Sequence, residues 1–504
     1  MPSPSENLAK SLDALRDLQK QGHGLAIRSK DLSRTNRERL LNSGFIREVM
    51  KGWYFPVNPH EKTGESTSWY AAFWPFCAAY LRERFGEDWC LSPEQSLSLH
   101  AGNTTVPSQL LVRTPKGFHN TVRLPHGTSI FDLKAQLPSS DQIEQKDNLN
   151  IFSVETALIH ASPGFYKQNA LDVRAVLSII KDGSKLLEKL LEGGHSRIAG
   201  RLAGAFRSVG KDRIADDILK TMRSVGYTVN EEKPFEIDLI VPKREFSPHA
   251  NRISIMWEEM RTQIIEHFPE APGLPKSKKA YLESLADIYA ADAYNSLSIE
   301  GYRVTPELIE RVRSGQWNPD QMEADRAQRD ALAARGYWQA FQEVKRGVEQ
   351  ILDGDQPGKV ADENHGDWYR ELFAPSVTAG ILKASDLAGY RSTPVYIRQS
   401  MHVPMNTEAV RDAMPRFFEL LSAEDNPAVR VVLGHFIFVY IHPYPDGNGR
   451  IGRFLMNTML AAGGYPWLVV PVEKRDAYMA ALESASVQND IIPFTQFLAG
   501  CMEE

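Results

Sequence analysis

Apolar positions along the chain change period several times, and each change predicts an element. Leu8, Leu12, Leu15 and Leu18 recur at helical spacing and stop at Gly22-His23-Gly24. Ile27 to Leu32 supplies a second short element, Ser33 is placed to cap a third helix running through Asn42, and Gly44 to Pro56 alternates like a hairpin. The order predicted for the first sixty residues is therefore helix, helix, helix, hairpin. An aromatic helix follows over Trp69 to Phe85, then Leu91 to His100 and strand-like pieces at Gln109 to Thr114 and Thr121 to Leu124. Residues 150–228 are helical by pattern, with Leu186, Leu187, Leu190 and Leu191 in an apolar stripe that serves either a core or a dimer. Pro234, Pro242 and Ser247-Pro248 punctuate a linker at 230–250. Beyond it, Lys278 to Tyr294 reads as a helix, Thr393 to Ile397 as a short strand pair near Pro394, Val431 to Ile441 as a buried helix, and Arg450 to Ala462 as a further helix. The expectation is a multidomain, mainly α protein: 1–60, 61–145 (α+β), 146–229 (helical), the linker, and 251–504.

Composition narrows the context without choosing a function. The chain has 504 residues, 42% hydrophobic and 24% charged, which is ordinary for globular domains. A net charge of -6 gives no global signal for nucleic acid or membrane. The three cysteines, Cys77, Cys90 and Cys501, have neither metal-ligand spacing nor a disulfide pattern and suit a reducing compartment. No apolar run approaches the roughly 20 residues of a membrane helix. A cytoplasmic protein without a membrane partner is expected.

The chemistry concentrates in His442-Pro443-Tyr444-Pro445-Asp446-Gly447-Asn448-Gly449-Arg450 and on to Arg453. His442 leaves a buried helix and can act as a general base near neutral pH. Pro443 and Pro445 force a turn. Gly447, Asn448 and Gly449 then open a helix, which makes an anion cradle. Arg450 and Arg453 fall in that helix's first turn, where positive charge opposes the macrodipole unless a polyanion lies between them. Asp446 at the lip is an oxygen ligand for a magnesium ion shared with phosphates.

This run resembles the signature of the Fic (Fic/DOC) family, His-Pro-Phe-x-Asp/Glu-Gly-Asn-Gly-Arg-x-x-Arg, with Tyr444 in place of phenylalanine. The resemblance implies an all-α fold with a small β-hairpin flap, and an adenylyltransferase that moves AMP from ATP to a hydroxyl of a target protein. It implies His442 as base, Asp446 as magnesium ligand, Gly447 to Gly449 as phosphate cradle, and Asn448, Arg450 and Arg453 toward the α-, β- and γ-phosphates. Upstream, Ser296, Glu300 and Gly301 in Asn295-Ser296-Leu297-Ser298-Ile299-Glu300-Gly301 look like the family's inhibitory motif, whose glutamate pairs with the second arginine, here Arg453. In some members that glutamate also supports AMP removal. Thr393, Pro394, Val395 and Tyr396 correspond to the flap that docks an extended target segment; a plain hairpin fits them as well. Arg475, Tyr478 and Leu482 fit core packing, although an aromatic there could border adenine.

The helix, helix, helix, hairpin order of residues 1–60 is that of a winged helix-turn-helix. Its Gly-Phe-Ile-x-x-Val-x-x-Gly-Trp-Tyr run resembles the wing of AbiEi-type antitoxins and related bacterial regulators, and the match continues more loosely through Trp89 to His100. From Arg28 to Lys51 there are seven lysines and arginines against three acids, which suits phosphate contacts on DNA through Arg34, Arg37, Arg39 and Lys51. A solvated charged face, or a winged helix that grips protein, fits the same residues. The partners expected are a target protein, the chain itself, DNA through residues 1–60 and a second copy. The competing reading of the whole is a DNA-binding regulator or antitoxin-like protein whose Fic half is a sensor or uses another nucleotide donor.

Overall fold

The computed structural model describes residues 3–20, 25–59, 61, 64–236, 247–315 and 329–502. Contacts divide the chain into two units, Met1–Pro248 with Tyr396–Val403, and His249–Val395 with Pro404–Glu504. Part of the linker expected at 230–250 lies outside the described residues.

The first unit begins with α1 (Pro4–Lys20) packed on α2 (Arg34–Asn42), whose N-terminus is capped by the Ser33 hydroxyl accepting from Asn36 N–H. Three antiparallel strands, β1 (Ile27–Arg28), β2 (Ile46–Met50) and β3 (Trp53–Pro56), lie in the order β1-β3-β2. Side-chain alternation splits β3 between two cores. Tyr54 joins Leu15, Ile27, Leu32, Leu40 and Ile46, whereas Trp53 and Phe55 face the aromatic helix α3 (Thr67–Phe85) with Trp69, Phe73 and Phe76. The segment expected as a second helix is instead the short strand β1 followed by a turn. Ile27 pairs with Tyr54, and the Asp31 carboxylate accepts the Arg28 N–H at 2.8 Å, closing the chain before a helical turn forms. A second sheet, β4 (Cys90–Leu91), β5 (Gln109–Thr114), β6 (Asn120–Arg123) and β7 (Ser129–Lys134), has the order β4-β5-β7-β6 with only β5 and β7 parallel. Between β4 and β5 lies α4 (Pro93–His100), and β8 (Ile143–Lys146) pairs with β9 (Leu149–Phe152). Six helices, α5 (Val154–His160) to α10 (Asp212–Ser224), follow among the described residues. Leu186 and Leu190 of the apolar stripe are fully buried there, whereas Leu187 and Leu191 are partly exposed.

The second unit is helical: α11 (Pro248–His267), α12 (Lys278–Ile299), α13 (Pro306–Arg313), α14 (Arg329–Leu352), α15 (Pro357–Thr378), α16 (Thr407–Ala423), α17 (Pro427–Ile441), α18 (Asn448–Gly463), α19 (Arg475–Gln488) and α20 (Ile492–Met502). Helix α17 is apolar on every side and is its centre, packing chiefly on α18. The expected β-hairpin flap is absent: residues 388–403 contain no strand. Strand pairing is replaced by the buried Arg391, whose guanidinium donates to the carbonyls of His442, Thr393 and Met405. Pro394 contributes no donor of its own. Thr393, Pro394 and Val395 fall in the second unit, whereas Tyr396 begins the stretch counted with the first. There the Val106 N–H donates to Met401 O, Thr104 Oγ1 to Val403 O, and Arg398 pairs with Glu65.

Candidate active site

Helix α17 stops at His442 because Pro443 follows, and His442 takes the left-handed conformation (φ 54°, ψ 59°) as the helix's C-cap. Its Nδ1 lies 3.0 Å from Val439 O. A carbonyl only accepts, so Nδ1 carries the proton and the Nε2 lone pair is left for other work. Burial, seconded by the nearby Arg391 charge, lowers the imidazole to about 4, so the ring is neutral at pH 7.

The turn into α18 is held locally. Asn448 Oδ1 accepts the Tyr444 N–H (2.9 Å) while Nδ2 donates to Tyr444 O (2.8 Å). The Asn448 side chain therefore fastens the loop and is not extended toward an anion; what it offers one is its main-chain N–H. Gly447 caps α18 at φ +81°, a conformation that needs glycine, and a Cβ there would also press on Phe373 at 2.9 Å. The first hydrogen bond of α18 is Ile451 N–H to Gly447 O, so the N–H groups of Asn448, Gly449 and Arg450 precede the ladder and open onto the cradle.

The two arginines are buried, at 1% and 2% exposure, and are treated differently. Arg453 is largely engaged: its Nε donates to Ser296 Oγ (2.9 Å) and its Nη2 to Ser296 O (3.0 Å) and Glu300 Oε1 (2.7 Å), while its buried Nη1 makes no hydrogen bond among the described residues. Arg450 is not, since Nε and Nη2 make no hydrogen bond among the described residues and Asp446 Oδ1 is 3.5 Å away. Burial alone would push the Glu300 carboxyl up, but Arg453 and Arg450 outweigh it and hold the group below the usual range. A Cβ on Gly449 would lie 2.3 Å from Glu300 Oε1. The carboxylate thus rests against the cradle, on ground an anionic ligand would occupy.

Helix α12 delivers Glu300. Asp292, Ser296 and Glu300 recur every four residues on one face, and Gly301 ends the helix at φ +87°. Asp292, 4% exposed, accepts from Tyr337 OH of α14 at 2.6 Å, and burial raises its carboxyl to about 6. Asp446, 61% exposed at the lip, accepts the Gly447 N–H. No group of three or more His, Cys, Asp or Glu among the described residues could hold a metal by itself. A single carboxylate still fits magnesium that takes its remaining oxygens from water and phosphate.

Sequence reasoning brought together His442, Asp446, the cradle, both arginines, Ser296 and Glu300. It missed Arg391, which carries His442's carbonyl, and the rings of Phe373 and Tyr302 over Arg450. Burial of arginine is invisible in sequence, but an aromatic, Tyr302, directly after the motif is a usable signal. Tyr478 is 1% exposed and hydrogen-bonded to His435 at 2.6 Å, which fits core packing. In the first unit, Arg34, with its side chain 84% exposed, pairs with Glu38 and Arg37 donates to Ser29 O; Arg39 is partly buried and Lys51 exposed.

Residues 366–460 match the family model described as Fic/DOC family. The chain carries a Fic/DOC family domain. The Fic domain's curated relatives include the protein adenylyltransferase Fic of Drosophila grimshawi, 39% identical over 119 residues, which are 23% of this chain and 24% of that protein. That of Drosophila virilis is 38% identical over 119 residues. The match spans about a quarter of the length of these relatives. Among solved structures, Fic-1 from C. elegans aligns at 16% identity and TM-score 0.37 over 69% of this chain and 88% of that one. A Fic domain containing signaling protein from Bacteroides thetaiotaomicron aligns at 18% and 0.34 over 49% and 92%. No helix among the described residues is long and apolar enough to cross a membrane.

Proposed function

We propose that the Fic domain transfers AMP from ATP to a serine, threonine or tyrosine hydroxyl of a protein, and that Glu300 restrains it. The observation that carries this reading is the Glu300 carboxylate lying on Arg453 against the Gly449 cradle, while Arg450 keeps buried donors unspent. A carboxylate in that place competes with phosphate for the same donors. The relatives named protein adenylyltransferase support the reaction class.

His442 Nε2 takes the proton of the target hydroxyl, whose oxygen attacks the α-phosphorus. The bond from that phosphorus to the bridging oxygen breaks, AMP is joined to the target, and pyrophosphate leaves. The α18 N–H groups hold the phosphates, and Arg450 and Arg453 stabilise the charge that collects on the leaving group, so positioning and electrostatics supply most of the acceleration. Asp446 would hold a magnesium ion, which would supply charge neutralisation at the phosphates. Thr393 to Val395, set beside His442 by Arg391, would register the target chain. Removal of AMP is a second reading, which rests on the Glu300 carboxylate lying against the Gly449 cradle.

The test uses Glu300→Gly protein with ATP labelled on either the α- or the γ-phosphate, with a lysate as target source. The α label should be retained on protein and the γ label should not. Retention of the γ label, or labelling that survives His442→Ala, would rule the reaction out.

A further inference from the structure

Two aromatic rings face the Arg450 guanidinium. Its Cζ lies 5.2 Å from the centroid of Tyr302 and 5.0 Å from that of Phe373. Phe373 is buried on α15 and braced against Gly447. Tyr302 is placed by the end of α12, where its N–H donates to Leu297 O (3.1 Å) as Gly301 reverses the chain. One helix terminus therefore reaches both arginines, through the Glu300 carboxylate on Arg453 and the Tyr302 ring on Arg450.

The two contacts differ in consequence. A carboxylate consumes N–H donors and neutralises the charge. An aromatic face attracts the cation through its quadrupole and takes no donor. Held this way, Arg450 is fixed in a buried place with its Nε and Nη2 donors unspent among the described residues, the state in which it can grip a phosphate with little further ordering. We propose that Tyr302 is a positioning residue for Arg450, so that the segment which restrains the site through Glu300 also prepares it to bind the β-phosphate. The proposal rests on the nucleotide reading above. It follows that productive binding needs the Glu300 side chain to move while the end of α12 stays in place.

Affinities for ADP and AMP, measured by calorimetry with magnesium on full-length Glu300→Gly, Glu300→Gly/Tyr302→Ala and Glu300→Gly/Tyr302→Phe, test this. AMP has no β-phosphate and reports on folding and on the rest of the site. A desolvated cation–π contact predicts ADP binding about fivefold to thirtyfold weaker in the alanine variant. AMP binding should be unchanged, and phenylalanine should restore ADP. Equal ADP affinity in the alanine variant, or parallel loss of ADP and AMP, would overturn the proposal while leaving the nucleotide site standing. Failure of the Glu300→Gly parent to bind ADP would overturn the nucleotide reading and this inference with it.

Discussion

Removing the Glu300 carboxylate should free Arg453, and the size of the effect can be worked from the contact. The Glu300–Arg453 bond is 2.7 Å long, with side-chain exposures of 27% and 3%. Hydrogen bonds to charged groups contribute about 1.5–3 kcal/mol, and partial exposure of the glutamate argues for the lower part, about 2 kcal/mol. That leaves about one molecule in thirty with Arg453 available, and apparent ATP affinity falls by the same factor. Glu300→Gly should therefore bind ATP about thirtyfold more tightly and, at low ATP, incorporate AMP correspondingly faster. Glycine adopts the φ of -79° at this position, so α12 should end as before. Intact-mass time courses of wild type, Glu300→Gly and Glu300→Gly/His442→Ala, run at subsaturating ATP, measure the rates directly. Equal rates in wild type and the glycine variant would refute the restraint, and activity remaining in the double variant would refute His442 as the base.

The buried histidines set a pH dependence of stability. His365 and His435 are held near 4 by burial, so between about 4 and 6.5 the unfolded chain binds more protons than the folded one, and stability falls as pH drops through that window. Each should contribute a slope of about 1.4 kcal/mol per pH unit within it, and denaturant midpoints from pH 7 to 5 should fall less steeply in His435→Gln; an unaltered slope would show that His435 is not the titrating group. Arg391→Lys cannot span the three carbonyls its fork reaches, so unfolding free energy should drop by about 2–4 kcal/mol with a loss of turnover; a lysine variant as stable as wild type would contradict the clamp. Tyr337→Phe removes the donor to Asp292 and should cost about 1–3 kcal/mol while loosening α12 enough to raise basal AMP incorporation, a rise that should vanish in the Glu300→Gly background.

The centre of the site was legible in sequence because it is made of neighbours. A helix N-terminus, the glycines that open it and the imidazole delivered by the preceding helix all lie between His442 and Arg453, so local backbone rules place them together. The Ser296 and Glu300 motif was readable only through its resemblance to a known pattern, since 153 residues separate Glu300 from Arg453. Where local pattern was trusted alone, it erred. Alternation at Thr393 to Ile397 predicts a strand pair, yet the Arg391 guanidinium takes backbone carbonyls there and no strand forms. The pattern at Ile27 to Leu32 predicts a helix, but pairing of Ile27 to Tyr54 makes its start a strand.

Sequence alone thus determined the chemistry on offer, an imidazole and two guanidiniums at a glycine-opened helix N-terminus, because spacing along one helix fixes which groups share a face. Only the tertiary structure decided the state of each group. Whether Arg453 is spent on Glu300, whether Arg450 is held by rings that leave its donors unspent, and whether His442 is neutral depend on burial and on partners from α12, α15 and the 391 loop. Those partners arrive from distant stretches of chain, and desolvation, which magnifies every charge interaction among them, exists only after packing has excluded water.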